Sequence, residues 1–152
     1  MKKSQINILV VDDDVSFRHA MIEAIQKFGY RVSASARAEE ALNLVKIKHF
    51  HAAIIDCMLP KINGVELAQE IRKTSFAQSP IILTSGIFKD KTFMTESLEK
   101  TQAIHFLAKP FHLNELKNIL EGQFKDDLSK GDLSLHVLVT KSFTSQRERI
   151  KV

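Results

Sequence analysis

The stretch "AAIIDCMLP", residues 52–60, is an apolar run that ends on one carboxylate, Asp56, and is followed by Cys57, Met58, Leu59 and Pro60. Ile54 and Ile55 are β-branched, and the run does not alternate with polar residues. That is the pattern of a strand buried on both faces. An acid at the end of such a strand is either a turn residue or a reactive group held in fixed geometry. Taken alone, Asp56 reads as a turn residue; its surroundings in the chain carry the weight.

Working outward, two other runs share this character. "INILVV" (6–11) leads into Asp12, Asp13 and Asp14, and "PIILTSG" (80–86) carries Thr84 and Ser85 at its end. "YRVSASA" (30–36) alternates like a more exposed strand, and "IHFLAKP" (104–110) is a strand halted by proline, with Lys109 just before it. Helical spacing fills the gaps. From Ser16 to Phe28 the residues Phe17, Ala20, Met21, Ala24, Ile25 and Phe28 recur on one side, and Gly29 is a stop signal. Further helices are expected over Ala38–Lys48, Val65–Arg72, Asp90–Lys100 and Leu113–Phe124, with Pro60 and Gly64 punctuating a loop before the third. Strand and helix thus alternate five times. This predicts an α/β fold, a three-layer sandwich in which a five-stranded parallel sheet with right-handed crossovers carries helices on both faces. Sites in such sheets form beyond the carboxyl ends of the strands, at a topological switch point. Asp12, Asp13, Asp56, Thr84, Ser85 and Lys109 are therefore expected to converge.

Bulk properties narrow the class. A chain of 152 residues, 44% hydrophobic and 26% charged, suits one globular domain with a short appendage. No apolar run approaches about 18 residues, so no membrane span is expected. The opening "MKKSQINILVVDDD" places aspartates where a signal peptide needs small residues. The single cysteine excludes an internal disulfide and fits a reducing, cytoplasmic setting. The net charge of +4 is modest and not gathered on one element of the domain, so nucleic acid is not an expected partner of this chain alone.

Each residue at the predicted edge has an ordinary reading. Aspartates after a strand cap helices, and a lysine before proline is a solvated loop residue. Together they imply more. Carboxylates gathered at one point raise one another's pKa and call for a cation. Their hard oxygens suit Mg²⁺. With Lys109 as a second positive charge and Thr84 as a hydroxyl donor, a carboxylate at the centre can attack phosphorus while the developing charge is neutralised.

The motifs "ILVVDDD" (8–14), "DCMLPKINGVEL" (56–67), "IILTSG" (81–86) and "FLAKPF" (106–111) together resemble the receiver domain of two-component response regulators. The resemblance implies a flavodoxin-like fold with strand order 2-1-3-4-5. It makes Asp56 the phosphoacceptor, which catalyses its own phosphorylation and dephosphorylation rather than acting as a conventional enzyme. It makes Asp12 and Asp13, with Asp56 and the backbone carbonyl of Met58, the holders of Mg²⁺. It makes Thr84 and Phe106 the switch pair, Lys109 the phosphoryl-binding lysine, and the bond before Pro110 cis. The implied partner is a sensor histidine kinase or a phosphotransfer protein. The face formed by the fourth helix, fifth strand and fifth helix is expected to meet a partner or a second copy of the chain. Asp14 is expected to cap the first helix, and Cys57 to face the core, away from Asp56; a redox input through its thiol is the alternative. Neither Met58 nor Gly86, two residues beyond Asp56 and Thr84, offers a side chain that holds a hydrolytic water. The phosphoryl group is therefore expected to persist.

Two alternatives stay open. A Mg²⁺-dependent aspartyl-phosphate phosphatase needs an acid two residues after its nucleophile, where this chain has Met58. A receiver-shaped module that is never phosphorylated typically lacks one of the acids, the threonine or the lysine, and all are present here. The expected domain ends near residue 124. Residues 125–132 read as a linker, and 133–152 as an extension with strand alternation at Leu135, Val137 and Val139 and a basic end, "SQRERIKV". That extension is read as a strand that pairs with the domain or with another chain, or as the start of a truncated output domain.

Overall fold

The computed structural model describes residues 1–74, 76, 78–86 and 91–129. A 3-10 turn at Lys3–Gln5 precedes β1 (Asn7–Val11), α1 (Val15–Lys27), β2 (Arg31–Ser35), α2 (Ala38–Ile47), β3 (Ala52–Asp56), α3 (Gly64–Ile71), β4 (Ile81–Ser85), α4 (Lys91–Thr101), β5 (His105–Ala108) and α5 (Leu113–Ser129). All strand pairs are parallel, in the order β2-β1-β3-β4-β5. The predicted architecture and strand order are those observed.

The apolar runs become the central strands because both faces of the sheet are covered. β3 and β4 are buried along their whole length, and β1 is buried from Ile8 to Val11. On one face α2, α3 and α4 pack over Leu9, Val11, Ala53, Ile55, Ile81 and Leu83. On the other, Met21 and Ile25 of α1 and Leu116, Leu120 and Phe124 of α5 cover Ile8, Val10, Ile54 and Ile82. β2 is the more exposed edge that its alternation predicts. No described helix is long and apolar enough to cross a membrane.

Local signals set the helix starts. Asp14 caps α1, its carboxylate accepting from the Phe17 N–H at 3.0 Å. Asn63 and Glu66 form a reciprocal capping box on α3, at 2.9 and 3.2 Å. α5 departs from the expectation. It runs on to Ser129, so residues 125–129, expected as linker, are helical. Phe124 and Leu128 sit one helical turn apart against the α1–α5 side of the core, and this packing carries the helix through the polar "KDD". The remaining expected linker, the extension at 133–152, and Asp90, the expected start of α4, lie outside the described residues.

The crossover from β1 runs to β2 and the crossover from β3 runs the opposite way to β4, so the carboxyl ends of β1 and β3 form the switch point of the sheet. There the backbone packs closely. The Gly64 N–H donates to the Cys57 carbonyl at 2.9 Å, and a Cβ on Gly64 would lie 2.0 Å from the Asp56 carbonyl oxygen. Gly122 of α5, by contrast, has open space around it. Gly64→Ala is expected to destabilise the domain by about 1–3 kcal/mol through overpacking. Gly122→Ala is expected to stabilise it by about 0.5–1 kcal/mol. Urea unfolding of the two variants checks both signs.

Candidate functional site

Two buried carboxylates face each other across the switch point. Asp12 follows β1 and is 1% exposed; Asp56 ends β3 and is 6% exposed. Each has one oxygen held by the backbone two residues on. Asp12 Oδ1 accepts from the Asp14 N–H at 2.9 Å, and Asp56 Oδ1 accepts from the Met58 N–H at 2.9 Å. The other oxygen of each meets Lys109, whose Nζ lies 2.6 Å from Asp12 Oδ2 and 3.1 Å from Asp56 Oδ2. Asp13 is exposed at the mouth, and one oxygen from each of Asp12, Asp13 and Asp56 falls within 4.8 Å of the others. Three carboxylates at that spacing form a hard, anionic donor set that fits Mg²⁺.

The backbone beneath is fixed from several directions. The Asp12 N–H donates to the Ser35 carbonyl at 3.0 Å, and the Arg18 guanidinium donates to the Asp12 carbonyl at 2.8 Å. The Cys57 N–H donates to the Thr84 carbonyl, and the Lys109 N–H to the Ser85 carbonyl, both at 2.8 Å. Thr84 is the register partner of Asp56 and is buried. Lys109 precedes a cis peptide bond to Pro110, as expected, and its ammonium sits over the Phe17 ring, 4.1 Å from the centroid.

The electrostatics follow from this packing. Burial pushes the Asp56 carboxyl above the usual carboxylate range; the Met58 N–H opposes the rise, the charge of Asp12 adds to it, and Lys109 opposes it. For Lys109, burial works against the ammonium, but the hydrogen bond to Asp12 and the charges of Asp56 and Asp12 outweigh it, and the pKa is raised. Lys109 therefore stays charged, while Asp56 is a carboxylate whose ionised form gains from an additional cation.

Asp12, Asp13, Asp56 and Lys109 thus converge, with Thr84 beside Asp56 in the sheet. Phe106 stands apart. It pairs in register with Leu83 rather than Thr84, and it packs on the α2–α4 side with its ring edge-to-face against Phe93, 6.0 Å between centroids. Cys57 faces the same side, 2% exposed, as strand alternation predicts. Three contributors escape a reading of the sequence: Phe17 and Arg18, which are read only as helix positions, and Gly64, read as loop punctuation. Only Gly64 carries a local signal, its place within "DCMLPKINGVEL".

The family description "response regulator receiver domain" matches residues 8–121. The chain belongs to this family. A probable transcriptional regulator, ycf27, of Cyanophora paradoxa is 34% identical over 77% of this chain and 47% of its own length. The receiver spans about half the length of the curated relatives it matches. Among solved structures, the receiver domain of a sensor histidine kinase from Pseudomonas aeruginosa PAO1, with magnesium coordinated in its active site cleft, is similar at a TM-score of 0.71. It is 26% identical, over 79% of this chain and 98% of that one. The response regulator TrrA of Thermotoga maritima, in complex with Mg²⁺ and BeF, reaches a TM-score of 0.68 at 30% identity, over 78% of this chain and 98% of that one.

Burial, and next to it the charge of Asp56, pushes the Cys57 thiol up to about 12. A thiol so protonated and enclosed is a poor nucleophile. Native protein is expected to resist iodoacetamide at neutral pH and to react only once unfolded, as intact-mass spectra will show. Rapid alkylation of the native receiver would favour the redox alternative.

Proposed function

We propose that this receiver accepts a phosphoryl group on Asp56 from a sensor histidine kinase, a phosphotransfer protein or a small phosphodonor, and that this modification switches its α4–β5–α5 face. The observation that carries the reading is the Asp56 carboxylate held within hydrogen-bond reach of Lys109 and within 4.8 Å of the oxygens of Asp12 and Asp13. Asp12, Asp13, Asp56 and the Met58 carbonyl would hold Mg²⁺, which when bound neutralises charge on the phosphoryl oxygens.

The chain's own residues do the rest. The Met58 N–H fixes one Asp56 oxygen and leaves Oδ2 as the nucleophile. Oδ2 forms the new bond to phosphorus, and the donor's bond to phosphorus breaks as its leaving group takes the electron pair. Lys109 follows the phosphoryl oxygens and stabilises their charge. Thr84 donates its hydroxyl to a phosphoryl oxygen, and the shift is relayed through β4 and β5 to Phe106 and its neighbour Phe93 on α4. Phe106 has no hydroxyl, so packing alone decides its position. Cytoplasmic residence, and pairing of two copies through the switched face or the C-terminal extension, belong to the same reading.

Incubation with acetyl phosphate and Mg²⁺ is expected to give one acid- and alkali-labile phosphoryl group per chain in the wild type, and none in Asp56→Asn. Undiminished labelling of that variant would sink the assignment; steady turnover would favour a phosphatase, and no labelling of the wild type a silent receiver. With the apolar Met58 side chain and Gly86 flanking the site, the labelled protein is expected to keep its phosphoryl group well beyond seconds after donor removal. A half-life of seconds would contradict this.

A further inference from the structure

Lys109 is held by more than its two carboxylates. Its ammonium lies 4.1 Å from the centroid of Phe17, inside the range where a ring face attracts a cation. Phe17 is itself fixed. Its N–H is bound by the Asp14 cap at 3.0 Å, and its neighbour Arg18 ties the same turn of α1 to the Asp12 carbonyl at 2.8 Å. Its ring packs edge-to-face with Phe111, 5.8 Å between centroids at 79°. Phe111 follows Pro110, so the residue that steadies the ring is joined by one proline to the lysine the ring contacts. Lys109 and Phe111 therefore grip Phe17 from a single short segment.

The chemistry of the two kinds of contact differs. Asp12 and Asp56 hold the ammonium through directed, charge-assisted hydrogen bonds. Both carboxylates also belong to the donor set of the cation site, so those bonds must weaken when the site fills and Lys109 turns to the phosphoryl oxygens. A ring face carries no counter-charge and no directed acceptor, so it lets the ammonium shift while still excluding water. It also competes with neither the metal nor the phosphoryl group.

Resting on the phosphoacceptor reading above, we infer that Phe17 is a positioning residue: its π face keeps Lys109 over the site as the ammonium passes from Asp12 to the phosphoryl group. Phe17 does not touch the reacting atoms. It acts through Lys109, and it does so through the ring's charge distribution rather than its shape.

The test separates those two properties. Phenylalanine with one, two or three ring fluorines is placed at position 17 alone by site-specific incorporation in the full chain. Shape is nearly kept while the negative ring face is progressively removed. The rate of labelling by acetyl phosphate is expected to fall step by step, by about 3- to 30-fold across the series, with unchanged unfolding midpoints. In protein without added Mg²⁺, the ε-methylene protons of Lys109 are expected upfield of the other lysines through the ring current, and to return to the common position in Phe17→Leu. A flat rate across the fluorinated series, or an unshifted Lys109, overturns the role of Phe17. Wild-type labelling that requires Asp56 keeps the phosphoacceptor reading standing in that event, whereas labelling indifferent to Asp56→Asn would remove both.

Discussion

The bridge that Lys109 makes between Asp12 and Asp56 is the constraint on which the site depends. Two carboxylates buried at the ends of adjacent strands repel each other in a medium that screens poorly. One ammonium, 2.6 and 3.1 Å from their outer oxygens, offsets that repulsion. Removing one partner from a buried charge cluster of this kind costs on the order of 3–5 kcal/mol, because the remaining charges stay desolvated. The offset is nonetheless incomplete: one positive charge serves three acids, and the Asp56 carboxyl is still pushed upward, chiefly by burial. The resting site is therefore stable enough to fold and short of positive charge.

The fold supplies rigidity through a motif used twice. At the end of β1 and again at the end of β3, an aspartate folds one oxygen back to the backbone N–H two residues on, at Asp14 and at Met58. The two turns face each other because β1 and β3 are neighbours and the crossovers that leave them run in opposite directions, to β2 and to β4. Strand alternation then sorts the next residues. Asp56 points to the site, while Cys57 enters the core under α2, α3 and α4. Gly64 lets the start of α3 approach within hydrogen-bond distance of Cys57, which no side chain at that position would allow. The buried strands thereby hold the Asp56 carboxylate in the fixed geometry that its proposed role as nucleophile requires.

Most of this is legible in the sequence because the signals are local and repeated. Unbroken apolar runs at 6–11, 52–56 and 80–85 are the buried strands, and the polar residues ending them are the site, since the sheet brings strand ends together. Asp14 and Asn63 announce their caps. What escapes depends on contacts between distant segments. The Phe17 ring beneath Lys109 joins α1 to the segment after β5, and nothing near either residue signals it. Arg18 reaching the Asp12 carbonyl is equally silent, because an arginine in an exposed helix turn has the same local pattern whether or not it is bound. α5 outruns its expected end because Leu128 finds the core beyond a stretch whose composition reads as linker. Phe106 is legible as a position but not as a contact: its edge-to-face partner, Phe93, sits on a helix whose core side includes the small polar residues Ser97 and Thr101.

The most direct measurement is chemical mapping of the modified residue. The wild-type protein is labelled with acetyl phosphate and Mg²⁺, reduced with borohydride, digested and sequenced by mass spectrometry. An acyl phosphate is converted to homoserine at the residue that carried it. Homoserine at position 56, formed only when Mg²⁺ is present, is the predicted result. Homoserine at position 12 or 13, or at no position, would contradict the assignment of Asp56 as the nucleophile that the buried carboxylates and Lys109 are arranged to serve.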